Sequence, residues 1–184
     1  ARSSFHAAGG RRAFRSRMEL PMKSLLVLAA FLLGGMGPAI AGPAVTLQDL
    51  KFLQGTWRLE NPANEREEAF RLRYHFISRD SALVEVHGDP QKQATQTVIH
   101  ADRDRLMATH YCARGNQPRL IATEKRGDRI EFRFLDVTNL ASPDEPHMVR
   151  MAFTRIDDTR IRKEEVYRVD GREEASTMSL VATD

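Results

Sequence analysis

Apolar and polar residues alternate along most of the chain after Gly55. Phe70, Leu72, Tyr74 and Phe76 face one way while Arg71, Arg73 and His75 face the other. Ile130, Phe132 and Phe134 repeat the pattern against Glu131 and Arg133, as do Val149, Met151 and Phe153 against Arg150 and Thr154. A period of two with one apolar face is what a half-buried strand requires. Turn residues recur at short intervals: His87-Gly88-Asp89-Pro90, Ala101–Asp104, Arg126-Gly127-Asp128, Ile156–Thr159 and Asp170-Gly171. Gly and Asp supply the positive φ of tight hairpins, and strands joined this closely are antiparallel. The spacing predicts about nine or ten strands. A sheet curled on itself hides every apolar face without leaving edges. The predicted fold is therefore all-β, a single antiparallel up-and-down barrel, with a β-sandwich as the second arrangement.

Two segments before Gly55 read differently. Leu47, Leu50 and Leu53 recur at about a helical turn, and Thr46 stands three residues before Asp49 in the manner of a capping box, so a short N-terminal helix is expected. Further upstream, Lys23 precedes the apolar run Leu25–Leu33, Gly37-Pro38 breaks it, and Ala39-Ile40-Ala41 has the small-x-small form of a cleavage site. Residues 18–41 thus read as a signal peptide cleaved after Ala41, residues 1–17 as sequence upstream of a natural start at Met18 or Met22, and residues 42–184 as the barrel domain. The apolar run is short of the roughly 20 residues that span a bilayer, so no stable membrane span is expected after cleavage. The expected location is periplasmic or secreted.

That division changes the meaning of the charge. The chain carries +3 overall, but residues 1–41 hold six Arg or Lys against one Glu, which leaves −2 for the rest. The basic pI of 9.3 belongs to the leader, and no basic stripe interleaved with aromatics follows it, so nucleic acid is not an expected partner. Outward arginines such as Arg71, Arg73 and Arg133 are expected to pair with acidic residues across strands. Cys112 is the only cysteine, which excludes an internal disulfide.

Gly55-Thr56-Trp57, preceded by the predicted helix, resembles the Gly-x-Trp start of the first strand in calycins, the group that includes lipocalins and fatty-acid-binding proteins. The resemblance implies that Gly55 and Trp57 pack across the closed end of a barrel. Thr109-His110-Tyr111-Cys112-Ala113-Arg114-Gly115-Asn116-Gln117-Pro118-Arg119 resembles a block in a family of secreted bacterial calycin-like proteins, and the likeness extends over most of residues 47–182. It implies a fold and no particular activity. Lipocalins place an arginine on the last strand to stack on the tryptophan; Thr177–Ala182 has none, and Arg168 on the preceding strand is the substitute.

The candidate chemistry sits largely in that block. His110 and Cys112, two apart on a predicted strand, face the same way, and a thiol beside an imidazole can become nucleophilic. Residues so spaced stand about 6–7 Å apart, beyond hydrogen-bond reach, so a buried apolar cysteine beside an interior histidine is the competing reading. Asn116, Gln117 and Arg119 could bind a carboxylate or phosphate at a barrel mouth, or simply build the turn after Gly115. Asp136 continues the Ile130–Phe134 face, and Lys163, Glu165 and Tyr167 share a face with Ile161 and Val169. That pattern leaves either a polar interior or a surface ion pair in another register.

His75, His87, His100, His110 and His147 show no metal-ligand spacing, so neither metal nor cofactor is expected. Haem is the one cofactor the calycin resemblance keeps open, with His147 the last histidine. No catalytic constellation stands out. The expectation is a barrel binding a small apolar or amphipathic ligand, lined by Tyr74, Phe132, Phe134, Met151 and Phe153 with a polar latch from His110, Cys112, Asn116, Gln117 and Arg119. The alternatives are an enzyme using Cys112 and His110, and a solid barrel with an envelope role.

Overall fold

The computed structural model describes residues 45–88 and 95–183. The expected signal peptide, the upstream segment and Asp89-Pro90 lie outside them. Ten strands form a closed antiparallel barrel in which neighbours in the chain are neighbours in the sheet. They are β1 (Gly55–Leu59), β2 (Leu72–Ile77), β3 (Ala82–His87), β4 (Thr95–Asp102), β5 (Arg105–Tyr111), β6 (Gln117–Arg126), β7 (Arg129–Thr138), β8 (His147–Arg155), β9 (Arg160–Val169) and β10 (Arg172–Ala182). β1 meets β10 to close the ring, which decides for the barrel over the sandwich.

One end is plugged. The N-terminal helix is a 3-10 helix, Leu47–Leu53, whose Leu50 and Leu53 are wholly buried. The Thr46 backbone N–H donates to Asp49 Oδ2 at 2.8 Å, completing the expected capping box. Asp49 also takes a hydrogen bond from Lys125, at the β6–β7 hairpin, which fastens the helix to the end where β2–β3, β4–β5, β6–β7 and β8–β9 turn. Trp57 Nε1 donates to the Leu53 carbonyl at 2.7 Å and the ring is 3 % exposed. Gly55 adopts φ +131°, a conformation that suits glycine alone, and so turns the chain from helix into strand between Leu53 and Trp57. Arg168 does not stack on Trp57; it pairs with Glu173 instead, on the opposite face of β9 from Tyr167.

Above the plug the interior is dry. Leu83, Ile99, Ala108, Leu120, Phe132 and Phe153 are all wholly buried, so this half of the barrel is filled with side chains. Two features depart from the sequence reading. A bulge in the β6–β7 pairing between Arg119 and Leu120 turns Asp136 off the Phe132–Phe134 face, and it pairs with Arg119 on the outside. A short helix α1 (Glu65–Glu68) stands between β1 and β2, where only strands were expected; Asn64 Oδ1 accepts from the Glu67 N–H at 3.0 Å and caps it.

The outer arginines also differ from expectation. Arg71 Nη1 donates to the carbonyls of Glu68 and Phe70, and Arg73 Nη1 to that of Gly88, so both hold backbone rather than a cross-strand acid. Arg133 pairs with Glu131 on its own strand at 2.6 Å. Arg129 reaches over the small Ala152 to Glu164 two strands away, at 2.9 Å.

Candidate functional site

Beneath the unplugged end lies a buried ionic layer. Tyr74, Glu85, Thr97 and His110 stand directly opposite one another on β2, β3, β4 and β5, so one row of inward positions carries four polar side chains. Lys163, Glu165 and Tyr167 reach them from alternate inward positions of β9, across the barrel. Exposure is 0 % for Lys163 and Thr97, 1 % for Glu85 and His110, 2 % for Tyr74 and 6 % for Glu165.

Glu85 is the hub. Its Oε2 accepts from Tyr74 Oη at 2.6 Å, and its Oε1 accepts from Lys163 Nζ at 2.7 Å and Thr97 Oγ1 at 3.2 Å. Lys163 Nζ also stands 2.7 Å from Glu165. Thr97 Oγ1 lies 3.0 Å from His110 Nδ1, and Tyr167 Oη 3.2 Å from His110 Nε2. Because the Thr97 proton goes to Glu85, His110 donates from Nδ1 and accepts from Tyr167 at Nε2. One directed chain thus runs Tyr167, His110, Thr97, Glu85 from the mouth inward.

The charge states follow from the surroundings. Burial pushes the His110 imidazolium down to about 4, with Lys163 adding to the shift and Glu85 opposing it, so the ring is neutral at pH 7. Burial would lower Lys163, but Glu165 and Glu85 outweigh it and hold the ammonium above its ordinary value. Burial would raise Glu85, and Lys163 and Tyr74 more than reverse that. Tyr74 and Tyr167 are both raised, first by burial and then by Glu85 and Glu165 respectively. His87 is lowered, again chiefly by burial, and its ring packs edge-on to Phe70 at 4.9 Å.

The layer is least covered on the β10 side. β1 pairs with β10 only at Leu180–Ala182, and the inward positions of β10 pass from buried Leu180 through half-buried Met178 to exposed Ser176 and Glu174. Ser176 is opposite Glu165 and Glu174 opposite Tyr167. A cleft of about 610 Å³ beside the mouth is lined by Arg66, Phe70, Arg71, Arg73 and His87.

The sequence-derived candidates fall into three groups. His110 and Tyr74 belong to the ionic layer. Phe132, Met151 and Phe153 are wholly buried, Met151 opposite Glu165 and Phe153 opposite Lys163, while Phe134 is half-buried against His147. Asn116 forms a latch between loops, and Gln117 and Cys112 flank its turn. Asn116 Nδ2 donates to Glu145 Oε1 and to the Pro146 carbonyl, both at 3.1 Å, and Gln117 Nε2 to the Gly115 carbonyl at 2.6 Å. β5 ends at Tyr111, so Cys112 starts the turn rather than continuing the inward face of His110, whose two nitrogens are taken by Thr97 and Tyr167. Arg119 faces outward, on Asp136.

Glu85 and Thr97 were missed by sequence reading. Glu85 sits in Ala82–Val86, where every residue is buried and alternation gives no inner face, and threonine suits either face of a strand. Among the described residues no group of three or more His, Cys, Asp or Glu is placed to hold a metal ion, and no helix is long and apolar enough to cross a membrane. Compared with known proteins, the chain matches no family model and no curated protein.

Proposed function

We propose that this is an exported barrel that binds a small amphipathic ligand, polar end first, at the layer formed by Glu85, His110, Lys163, Glu165 and Tyr167. The observation that carries the reading is the place of that layer. Replacing a buried ion pair by packed apolar residues is often neutral or stabilising, so the fold gains little from keeping one there. The lower half of the same barrel is filled with apolar side chains, whereas the polar row stands just inside the open end, next to exposed inward positions. Polar groups converging at the mouth of an otherwise apolar barrel are the usual form of a small-molecule site. The resemblance to secreted calycin-like barrels and the signal-peptide pattern support the same reading.

Native mass spectrometry tests it, on protein purified from an exporting host without denaturant. The expected result is a chain beginning at Gly42 with a mass excess that disappears on denaturation. The bare polypeptide mass, unchanged after incubation with lipid and haem panels, would overturn the reading in favour of a solid barrel.

A further inference from the structure

We propose that the polar end of the ligand is a primary amine, seated on Glu165 beneath Tyr167; this rests on the ligand-binding reading above and names its head group. Hydrogen-bond capacity makes the first argument. The Tyr167 proton is donated to His110, so its oxygen is left to accept. Glu165 has Lys163 as its one ion-pair partner among the described residues, and Ser176 stands opposite it at an exposed position. Lys163 is held by Glu85 and Glu165, and the Thr97 and Tyr74 protons by Glu85. The wall beside β10 therefore presents the Tyr167 oxygen and the Glu165 carboxylate as acceptors, with the Ser176 hydroxyl able to act either way. An ammonium brings three donors and no acceptor.

Charge makes the second argument. The buried groups are two carboxylates, Glu85 and Glu165, against one ammonium, Lys163, with His110 neutral. Glu174 faces the outer end of the passage, with Arg172 beyond it and Arg114 on the loop near Tyr167. Glu174, Arg172 and Arg114 are exposed and screened by salt, so the buried excess of one negative charge decides what enters. A cation satisfies that excess, whereas a carboxylate would meet the like charge of Glu165.

Octylamine, octanol and octanoate, matched in tail and different in head, separate the possibilities when titrated calorimetrically into the protein at pH 7. Octylamine is expected to bind at least about tenfold more tightly than octanoate, the scale of one charge-assisted hydrogen bond. Glu165→Gln is expected to remove most of that preference, bringing the octylamine affinity down towards that of octanol. Ser176→Trp, at an exposed position that tolerates bulk, is expected to weaken octylamine and octanol alike by narrowing the passage. Octanoate binding as tightly as octylamine, or a preference that survives Glu165→Gln, overturns the amine assignment and leaves the ligand-binding reading standing. Binding untouched by Ser176→Trp overturns the passage. If none of the three binds, the amine assignment and the binding reading fall together.

Discussion

Lys163 on β9 lies 2.7 Å from Glu85 on β3, across the barrel interior, and neither side chain is more than 1 % exposed. A contact between strands so far apart in the ring means that the two side chains fill the lumen at that level.

Removing one partner leaves the other charged and dry. Lys163→Met should therefore destabilise the protein by about 3–5 kcal/mol, read by urea denaturation at pH 7. Combining it with Glu85→Gln and Glu165→Gln should recover most of that loss. A triple variant as weak as the single one would show that Lys163 acts through packing rather than charge.

His110 gives the stability a sign and a window. Its folded value of about 4 lies below the ordinary 6.5, so between those limits the unfolded chain binds more protons. Stability is then full above pH 6.5 and falls as the pH drops towards 4, by on the order of 3 kcal/mol. His87, lowered for the same reason, adds in the same direction. Glu85, lowered instead, contributes its loss further down, below the ordinary carboxylate value of 4.5. The difference between the native protein and His110→Gln, measured by denaturation across pH 4–7, isolates the His110 contribution. A pH-independent difference would refute it.

Asn116 joins the Cys112–Asn116 turn to the loop before β8 through two hydrogen bonds from one amide. Asn116→Ala should cost about 1–3 kcal/mol and raise amide hydrogen exchange in both loops. Asn116→Asp should cost more, because it sets a carboxylate against Glu145. Exchange confined to one loop would mean that the two are not coupled through this side chain.

Both nitrogens of His110 are engaged, by Thr97 and Tyr167, and neither by Cys112. His110→Gln should change the rate at which the half-buried Cys112 is alkylated at neutral pH by less than about twofold. A rate that drops tenfold in His110→Gln would revive the nucleophilic reading of the pair.

Trp57 ties the plug to the barrel. Trp57→Phe keeps most of the buried ring and loses the bond to the Leu53 carbonyl, so a loss of about 1–2 kcal/mol is expected by circular dichroism, against about 3–5 kcal/mol for Trp57→Ala. Equal losses would make the hydrogen bond irrelevant.

The strands, their antiparallel order and the plugging helix were written in the chain itself. Alternation at Phe70–Phe76 and Ile130–Phe134, glycine at position 55 and the Asp170-Gly171 turn are local properties, and local sterics decide them. Sequence alone also put Lys163, Glu165 and Tyr167 on one face of β9. It could not say that the face was the inner one, because a single-strand pattern is the same for a packed lumen and a salted surface. The bulge at Arg119–Leu120 depends on the fit between two strands, so alternation along β7 alone could not decide between an interior and a surface Asp136. Glu85 and Thr97 became part of a site only when closure of the ring set them beside Tyr74 and His110 in one row. Which polar groups meet in a barrel is fixed by inter-strand register, and register is a property of the closed sheet.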